Sequence, residues 1–491
     1  LSNSSSGRFN EDVSFIFDGL QSYDNRKKIA VTTSDKITQC YVEIQRWDDA
    51  NEQAWLWVKV PVVNSTADTD LYLYYDKDHA DNTAYVGDPD STAAENVWDS
   101  GFKGVWHMDE SGDGTLDEYK DSTQYNNHGQ GGEGNASYIP TRTTGPIGYG
   151  QDFNDDLVDC GNDTSLDITG NQITLECWIR YPSATHEAMG PLNHKGWNNG
   201  YRIVMLENST RVRFQLPGAT HNLQASQGIS TNTWHYIAAV YNGSKMMIHI
   251  DGAKDAWDLN KTDNILPSSP ERDFWIGHGD QPKGVYWSYP WVGQVDEVRI
   301  SDTGRNAAWI KATYQSGIDD LLDYGTEEIG VLYDFKYYSD WTGTPDLEWT
   351  DVKVGENPLT EWRSSYTLEA NDPTGVWGLG VYDAGTSNLR CSCSFTVSEV
   401  DTYDSDYATP KDTYSIGETV YAKAKYLSTQ GSVWLSGWDK RVKLAIDQNE
   451  INSDLSNFPL LIYLGTSSGR NNDDVSFIFD ELQSDDNRKK I

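Results

Sequence analysis

Short runs of alternating apolar and polar residues recur along most of the chain, separated by Gly, Pro, Asn and Asp. Val13, Phe15 and Phe17 alternate with other residues, Ala54 to Val60 (AWLWVKV) is nearly continuous, and Asp70 to Tyr75 (DLYLYY) follows. Period-two runs bounded by turn residues predict strands of an antiparallel sandwich. Trp234 to Gly252 predicts a hairpin turning at Asn242-Gly243, a dipeptide suited to the left-handed backbone of a tight turn. Thr374 to Asp383 and Asn388 to Val397 alternate strictly. They place Trp377, Leu379 and Val381 on one side of a strand, and Leu389, Cys391, Cys393, Phe395 and Val397 likewise. A short helix is predicted at Arg305 to Tyr314. The expected class is all-β: tandem β-sandwiches.

One stretch occurs twice. Ser5 to Ile29 (SSGRFNEDVSFIFDGLQSYDNRKKI) and Ser467 to Ile491 (SSGRNNDDVSFIFDELQSDDNRKKI) differ at four positions. A long-period repeat points to a tandem array. Trp438 to Leu464, just before the second copy, has no counterpart before Leu1. This predicts a sandwich lacking its first strands at 1–98, a large β domain at 99–327 and a smaller β domain at 328–400. A linker with a partial β module follows at 401–437, then the opening strands of the next copy at 438–491.

The formal charge of −37 argues against nucleic acid and anionic membranes as partners. No run of about 18 apolar residues is present, so no membrane-spanning helix is expected. The five cysteines (Cys40, Cys160, Cys177, Cys391, Cys393) are scattered and form neither a disulfide framework nor a zinc pattern. Cys391 and Cys393 face the same way, as buried thiols or as a metal pair. Sequons at Asn3, Asn64, Asn135, Asn162, Asn208, Asn242 and Asn260 permit glycosylation of an exported protein.

VEIQRWD (Val42 to Asp48), AWLWVKVP, DTDLYLYYD and VWDSGFKGVWHMDE (Val97 to Glu110) resemble a domain of unknown function found ahead of laminin-G-like domains in archaeal and bacterial surface proteins. GVWHMDESGDG (Gly104 to Gly114), the run from Gly150 to Arg180 around Trp178, and VGQVDEVRIS (Val292 to Ser301) resemble the laminin-G-like, concanavalin A-type jelly roll. The 328–400 stretch looks like the end of an immunoglobulin-like domain. Relatives of the jelly roll often hold calcium, and the resemblance implies Asp121, Asn126, Asn127 and Asp296 as ligands. Calcium takes six to eight oxygens, which this set can furnish. The alternative is that Asp121 caps a turn and Asp296 is a solvated acid.

Trp287, Tyr289 and Trp291, with Trp197 in a second loop, could stack on sugar rings or seal a domain interface. Trp55, Trp57 and Tyr72 to Tyr75 likewise fit either a stacking platform or a core. No catalytic residue is assigned. Glycoside hydrolysis needs two suitably spaced carboxylates, the Glu-x-Asp-x-Glu strand of glucanases on this fold is absent, and Asp296 and Glu297, being adjacent, are expected on opposite faces.

The expectation that follows is an extracellular or cell-surface structural unit of a filament, sheath or surface layer. Its partner is a further copy, linked head to tail by strand complementation through Val442, Leu444, Ile446, Phe458, Leu460, Val475, Phe477 and Phe479. The alternative is a carbohydrate-binding adhesin or lectin using the jelly roll.

Overall fold

The computed structural model describes residue 8, residues 11–182, 189–194, 200–205, 209–217, 222–266, 273–279, 290–329 and 440–464, and strand backbones between 332 and 425. The first unit opens with helix α1 (Phe15–Leu20), followed by β1 (Ile29–Thr33), β2 (Gln39–Cys40), β3 (Val42–Asp48), β4 (Gln53–Val63), β5 (Thr69–Tyr75) and β6 (Val86–Gly87). The jelly roll holds β7 (Phe102–Trp106), β8 (Gln130–Gly131), β9 (Thr141–Thr144), β10 (Tyr149–Asn154), β11 (Val158–Asp159), β12 (Ile173–Arg180), β13 (Met189–His194) and β14 (Tyr201–Met205). It continues with β15 (Val212–Gln215), β16 (Asn222–Gln224), β17 (Trp234–Tyr241), β18 (Lys245–Ile250), β19 (Ala253–Asn260), β20 (Trp275–Ile276) and β21 (Val292–Ser301), after which helix α2 (Ala307–Gly317) leads to β22 (Leu322–Ile329), a strand of the first unit's sheet.

Beyond it lie β23 (Leu332–Tyr338), β24 (Leu347–Lys353), β25 (Glu361–Thr367), β26 (Gly375–Asp383), β27 (Leu389–Val397), β28 (Thr413–Tyr414) and β29 (Thr419–Lys425), and then β30 (Lys440–Ile446) and β31 (Leu455–Leu464). Strands β24-β23-β26-β27-β28 form one sheet and β25-β29 another, so 413–425 pairs with strands of the preceding module. The fold is all-β, with the jelly roll as its largest sandwich.

The opening stretch corrects the first expectation. Val13 to Phe17 is not a strand: Phe15–Leu20 is helical, and Val13, Ile16, Phe17 and Leu20 are buried. Spacings of three and four put these on one helical face, which outweighs the short alternation. At Gly19 a Cβ would meet ring carbons of the buried Tyr75 at 2.7 Å. The second copy carries Glu481 at the matching position, so the first copy is the better occupant of this slot.

The second correction concerns the complementing strands. β30 lies between β5 and β22 in the order β2-β1-β5-β30-β22, with Val442 opposite Leu73 and Leu444 opposite Leu71. β31 pairs with β4 across its whole length in the order β31-β4-β3-β6. The expected inter-unit residues Val442, Leu444, Ile446, Phe458 and Leu460 are all fully buried, but in the first sandwich of their own chain. The open edges of β4 and β5 offer backbone donors, acceptors and an apolar slot, and the chain's own hairpin fills them. Val475, Phe477 and Phe479 lie outside the described residues. On the opposite face of β30, Arg441 is fully buried, donates to Glu328 Oε2 (2.7 Å) and the Tyr74 hydroxyl (3.1 Å), and lies over Tyr72. Tyr72 to Tyr75, Trp57 and the partly buried Trp55 are therefore packing residues and offer no exposed platform.

Two cores organise the jelly roll. Its sheets run β19-β18-β17-β12-β21-β10-β9, with β7 also on β21, and β16-β15-β14-β13-β20-β11-β8. Ile173, Leu175, Cys177 and Ile179 of β12 face the sandwich interior, whereas Trp178 joins Tyr236, Ala238 and Val240 of β17 in the core shared with α2 and the first unit. Strands buried on both faces lose the polar alternation of a half-exposed sheet. Trp309 of α2 meets Phe458 of β31 edge-on at 5.2 Å, and the Ser316 hydroxyl accepts from Leu461 N at 2.9 Å.

Candidate functional site

The outer face of the eight-stranded sheet is closed by the first unit. At the contact, His107 Nδ1 and Glu297 Oε1 are 2.8 Å apart, and Arg299 donates to Glu297 Oε2 at 2.6 Å. Glu43 of β3 accepts from Trp98 Nε1 (2.7 Å) and the Ser122 hydroxyl (2.5 Å). Trp57 stacks on His107, and the Arg299 guanidinium lies over the Trp57 ring at 4.3 Å. All these side chains are buried. Burial opposes charge on His107, yet Glu297 and Glu43 hold its pKa well above the ordinary value; Glu297, despite burial, is held below its own by His107 and Arg299. No substrate reaches this cluster; it is a seal between domains.

The same strand corrects the expectation for Asp296 and Glu297. A register shift opposite Glu176 and Trp178, with Glu297 at φ 50°, forms a bulge. Val295 and Val298 both face the interior, so Asp296 and Glu297 both point out of the sandwich and are buried beneath the first unit. Bulges re-aim side chains in this way. Asp296 is thus no solvated acid: burial, with Glu297 and Asp109 nearby, raises its pKa well above the usual carboxylate value.

Of the implied calcium ligands, Asp121, Asn126 and Asn127 share one turn and Asp296 lies on β21, and the protein's own groups engage polar atoms of each. Asp121 Oδ1 accepts from Val105 N and Thr123 N, and Oδ2 from the Thr123 hydroxyl and Asn127 N, all at 2.8–2.9 Å. Four donors occupy the four lone-pair positions of the carboxylate, so Asp121 organises the turn. Burial still pushes its pKa up to about 7 against those bonds. Asn127 donates its amide to Lys103 O and Ser165 Oγ, Asn126 is exposed, and Asp296 accepts from Ile147 N through Oδ2 while its buried Oδ1 has no partner among the described residues. Among the described residues no group of three or more His, Cys, Asp or Glu is gathered for a metal.

Of the aromatic residues expected to stack on sugar, Trp291 is fully buried against Tyr181. That removes it from any ligand face. Trp197, Trp287 and Tyr289 lie outside the described residues, as do Asn3 and Asn208 and the side chains of Cys391 and Cys393. Asn135, Asn162, Asn242 and Asn260 are exposed and Asn64 is half-buried.

The remaining broad face is the outer side of the seven-stranded sheet. Cross-strand pairing aligns Val158, Ile276, Leu192, Ile203, Phe214 and Leu223 in one interior row. The neighbouring row points the other way and runs Gln130, Asp159, Trp275, Asn193, Arg202, Gln215, Asn222, each the direct partner of the next. It holds four amides, one carboxylate, one guanidinium and one indole. Arg213 of β15 projects from the same face. Asn193 and Gln215 sit below the surface, Trp275, Arg202, Arg213 and Asp159 are half-buried, and Asn222 is exposed.

Three buried polar atoms on this face, Asn193 Oδ1, Arg213 Nε and Trp275 Nε1, have no hydrogen-bond partner among the described residues. Arg202 Nε donates to Gln215 Oε1. Burial, helped by Asp273 and Glu133 and opposed by Gly161 N, lifts the Asp159 pKa to about 6. This row escaped the sequence reading because its members come from seven strands; the local signal was a polar residue beside each core residue.

A second concavity of about 530 Å³ is lined by Lys103, Tyr125, Asp163, Asp167, Asn171 and Asp302 among others. There Lys103 bonds the Tyr125 hydroxyl and lies over its ring at 4.6 Å, which covers the ring face.

Comparison with known proteins agrees with this architecture. Residues 152–311 match the concanavalin A-like lectin/glucanases superfamily. Residues 25–121 match a domain of unknown function (DUF2341). A search of the curated proteins finds no match. Among solved structures, the chain is similar to domain 4 of an extracellular arabinanase from Geobacillus stearothermophilus in complex with arabinotriose, at 16% identity over 43% of this chain and 96% of that one, TM-score 0.33. It is also similar to a pentraxin from Limulus polyphemus, at 12% identity over 30% of this chain and 72% of that one, TM-score 0.25.

Proposed function

We propose that this chain is a carbohydrate-binding unit of an extracellular surface protein, and that its jelly roll binds glycan on the outer face of the seven-stranded sheet. The observation that carries the reading is the in-register polar row around Trp275. Sugar sites combine a flat apolar ring surface with a few placed polar groups. Trp275 supplies the first; Asn193, Gln215 and Asp159 supply the second. Titration of the intact chain with oligosaccharides selected on a glycan array is expected to give saturable binding. Trp275→Ala should weaken it about tenfold or more with the melting temperature nearly unchanged. Binding that survives this substitution intact would remove the face from the account.

A structural role as a repeat unit of a filament, sheath or surface layer is favoured by the near-identity of 5–29 and 467–491. Because β30 and β31 pair within their own chain, linkage between units requires exchanging that hairpin with another copy. Light scattering on the purified chain tests this: exchange gives oligomers that dissociate only on unfolding.

A further inference from the structure

We infer that the glycan bound at this face carries an anionic substituent, a carboxylate or a sulfate, placed against Arg213 and Arg202; this rests on the glycan-binding reading above. The two arginines stand on adjacent strands. Arg202 is opposite Gln215 and Arg213 is opposite Val204, which makes them diagonal neighbours on one face. Among the described residues, the one charged side chain that acts on Arg213 is Arg202, and together with burial it holds the Arg213 guanidinium below its usual value.

A half-buried cation beside another cation, with its Nε unpartnered, is an unfavourable arrangement in the free protein. It is the more notable in a chain with 75 acidic and 38 basic residues, where carboxylates are abundant and none among the described residues acts on this group. An anion between the two arginines relieves the repulsion, and the planar fork suits bidentate contact with a carboxylate or sulfate. Gln215 fixes Arg202 through its Nε. Asn193 Oδ1 awaits a donor one strand further along, as a sugar hydroxyl supplies, and Trp275 beyond it takes the ring. The overall negative charge does not forbid this, because screening at physiological salt confines it to about 8 Å.

The test is titration of the intact chain with matched neutral, uronate-containing and sulfated oligosaccharides, on the native protein and on Arg213→Gln and Arg213→Lys. The expected result is at least tenfold tighter binding of one acidic series than of its neutral analogue. Arg213→Gln should reduce that series to the neutral level, and Arg213→Lys should retain part of the advantage. Which series gains identifies the anion as carboxylate or sulfate. Equal binding of neutral and acidic sugars, unchanged in both variants, overturns the inference while leaving the glycan-binding reading in place. Absence of binding to all three series overturns both.

Discussion

A chain ending at residue 437 is expected to lose its first sandwich while keeping the interior of the jelly roll. Removal of β30 and β31 uncovers β5 and β4 along their length and takes Val442, Leu444, Ile446, Phe458, Leu460 and Ile462 out of the core, all fully buried. At roughly 1.5–3 kcal/mol per side chain, the loss is on the order of 10 kcal/mol, an upper figure comparable to a domain's whole stability of about 5–15 kcal/mol. The jelly-roll interior is a separate cluster that contains none of these residues. Limited proteolysis should therefore cut rapidly within 11–98 and spare the segment from β10 to β21. Addition of a 438–464 peptide should restore protection, since strand addition needs no covalent link. A truncated chain as resistant as the native one would show that these strands do not complete the domain.

Arg299→Met is expected to destabilise the intact chain by about 3–5 kcal/mol, the usual consequence of stranding a buried charge. Glu297 loses its 2.6 Å donor and, among the described residues, keeps His107 as its cationic partner. The native cluster also sets a pH signature. His107 has a raised pKa in the folded state, so its contribution is complete below about 6.5 and falls as pH rises through the folded value. Glu297 is lowered, so its contribution is complete above about 4.5 and falls as pH drops through its folded value. The pair supports the fold most fully between those limits. Arg299→Met lets the Glu297 pKa rise, so the loss of stability on acidification should begin at higher pH, as chemical denaturation at several pH values will read.

The elements legible in the sequence were those whose pattern is local. The β17–β18 hairpin turns at Asn242-Gly243, where Gly243 adopts φ 86°, and VKLAI and FPLLIYL are strands where their runs predicted them. The partners of those last two strands were not legible, because a strand pattern records which face is buried and not which chain or edge buries it. α1 was misread because VSFIF satisfies both periodicities over five residues, and Leu20 decides between them. The bulge at Asp296-Glu297 was hidden for a similar reason: alternation predicts opposite faces, and one left-handed residue cancels it. Asp121 was named for its chemistry, yet its lone pairs are taken by neighbours in the same turn. Trp291 was found as an aromatic residue, but exposure depends on what packs above it. The polar row was invisible because its neighbours are adjacent only across strands.

The most direct measurement is amide hydrogen exchange of the intact chain with and without the oligosaccharide that binds most tightly. The account predicts slowed exchange confined to β13, β14, β15 and β20, around Asn193, Arg202, Gln215 and Trp275, with β30 and β31 unchanged. Slowed exchange at the concavity formed by Lys103, Tyr125 and residues 163–172, with none on the seven-stranded sheet, would contradict it.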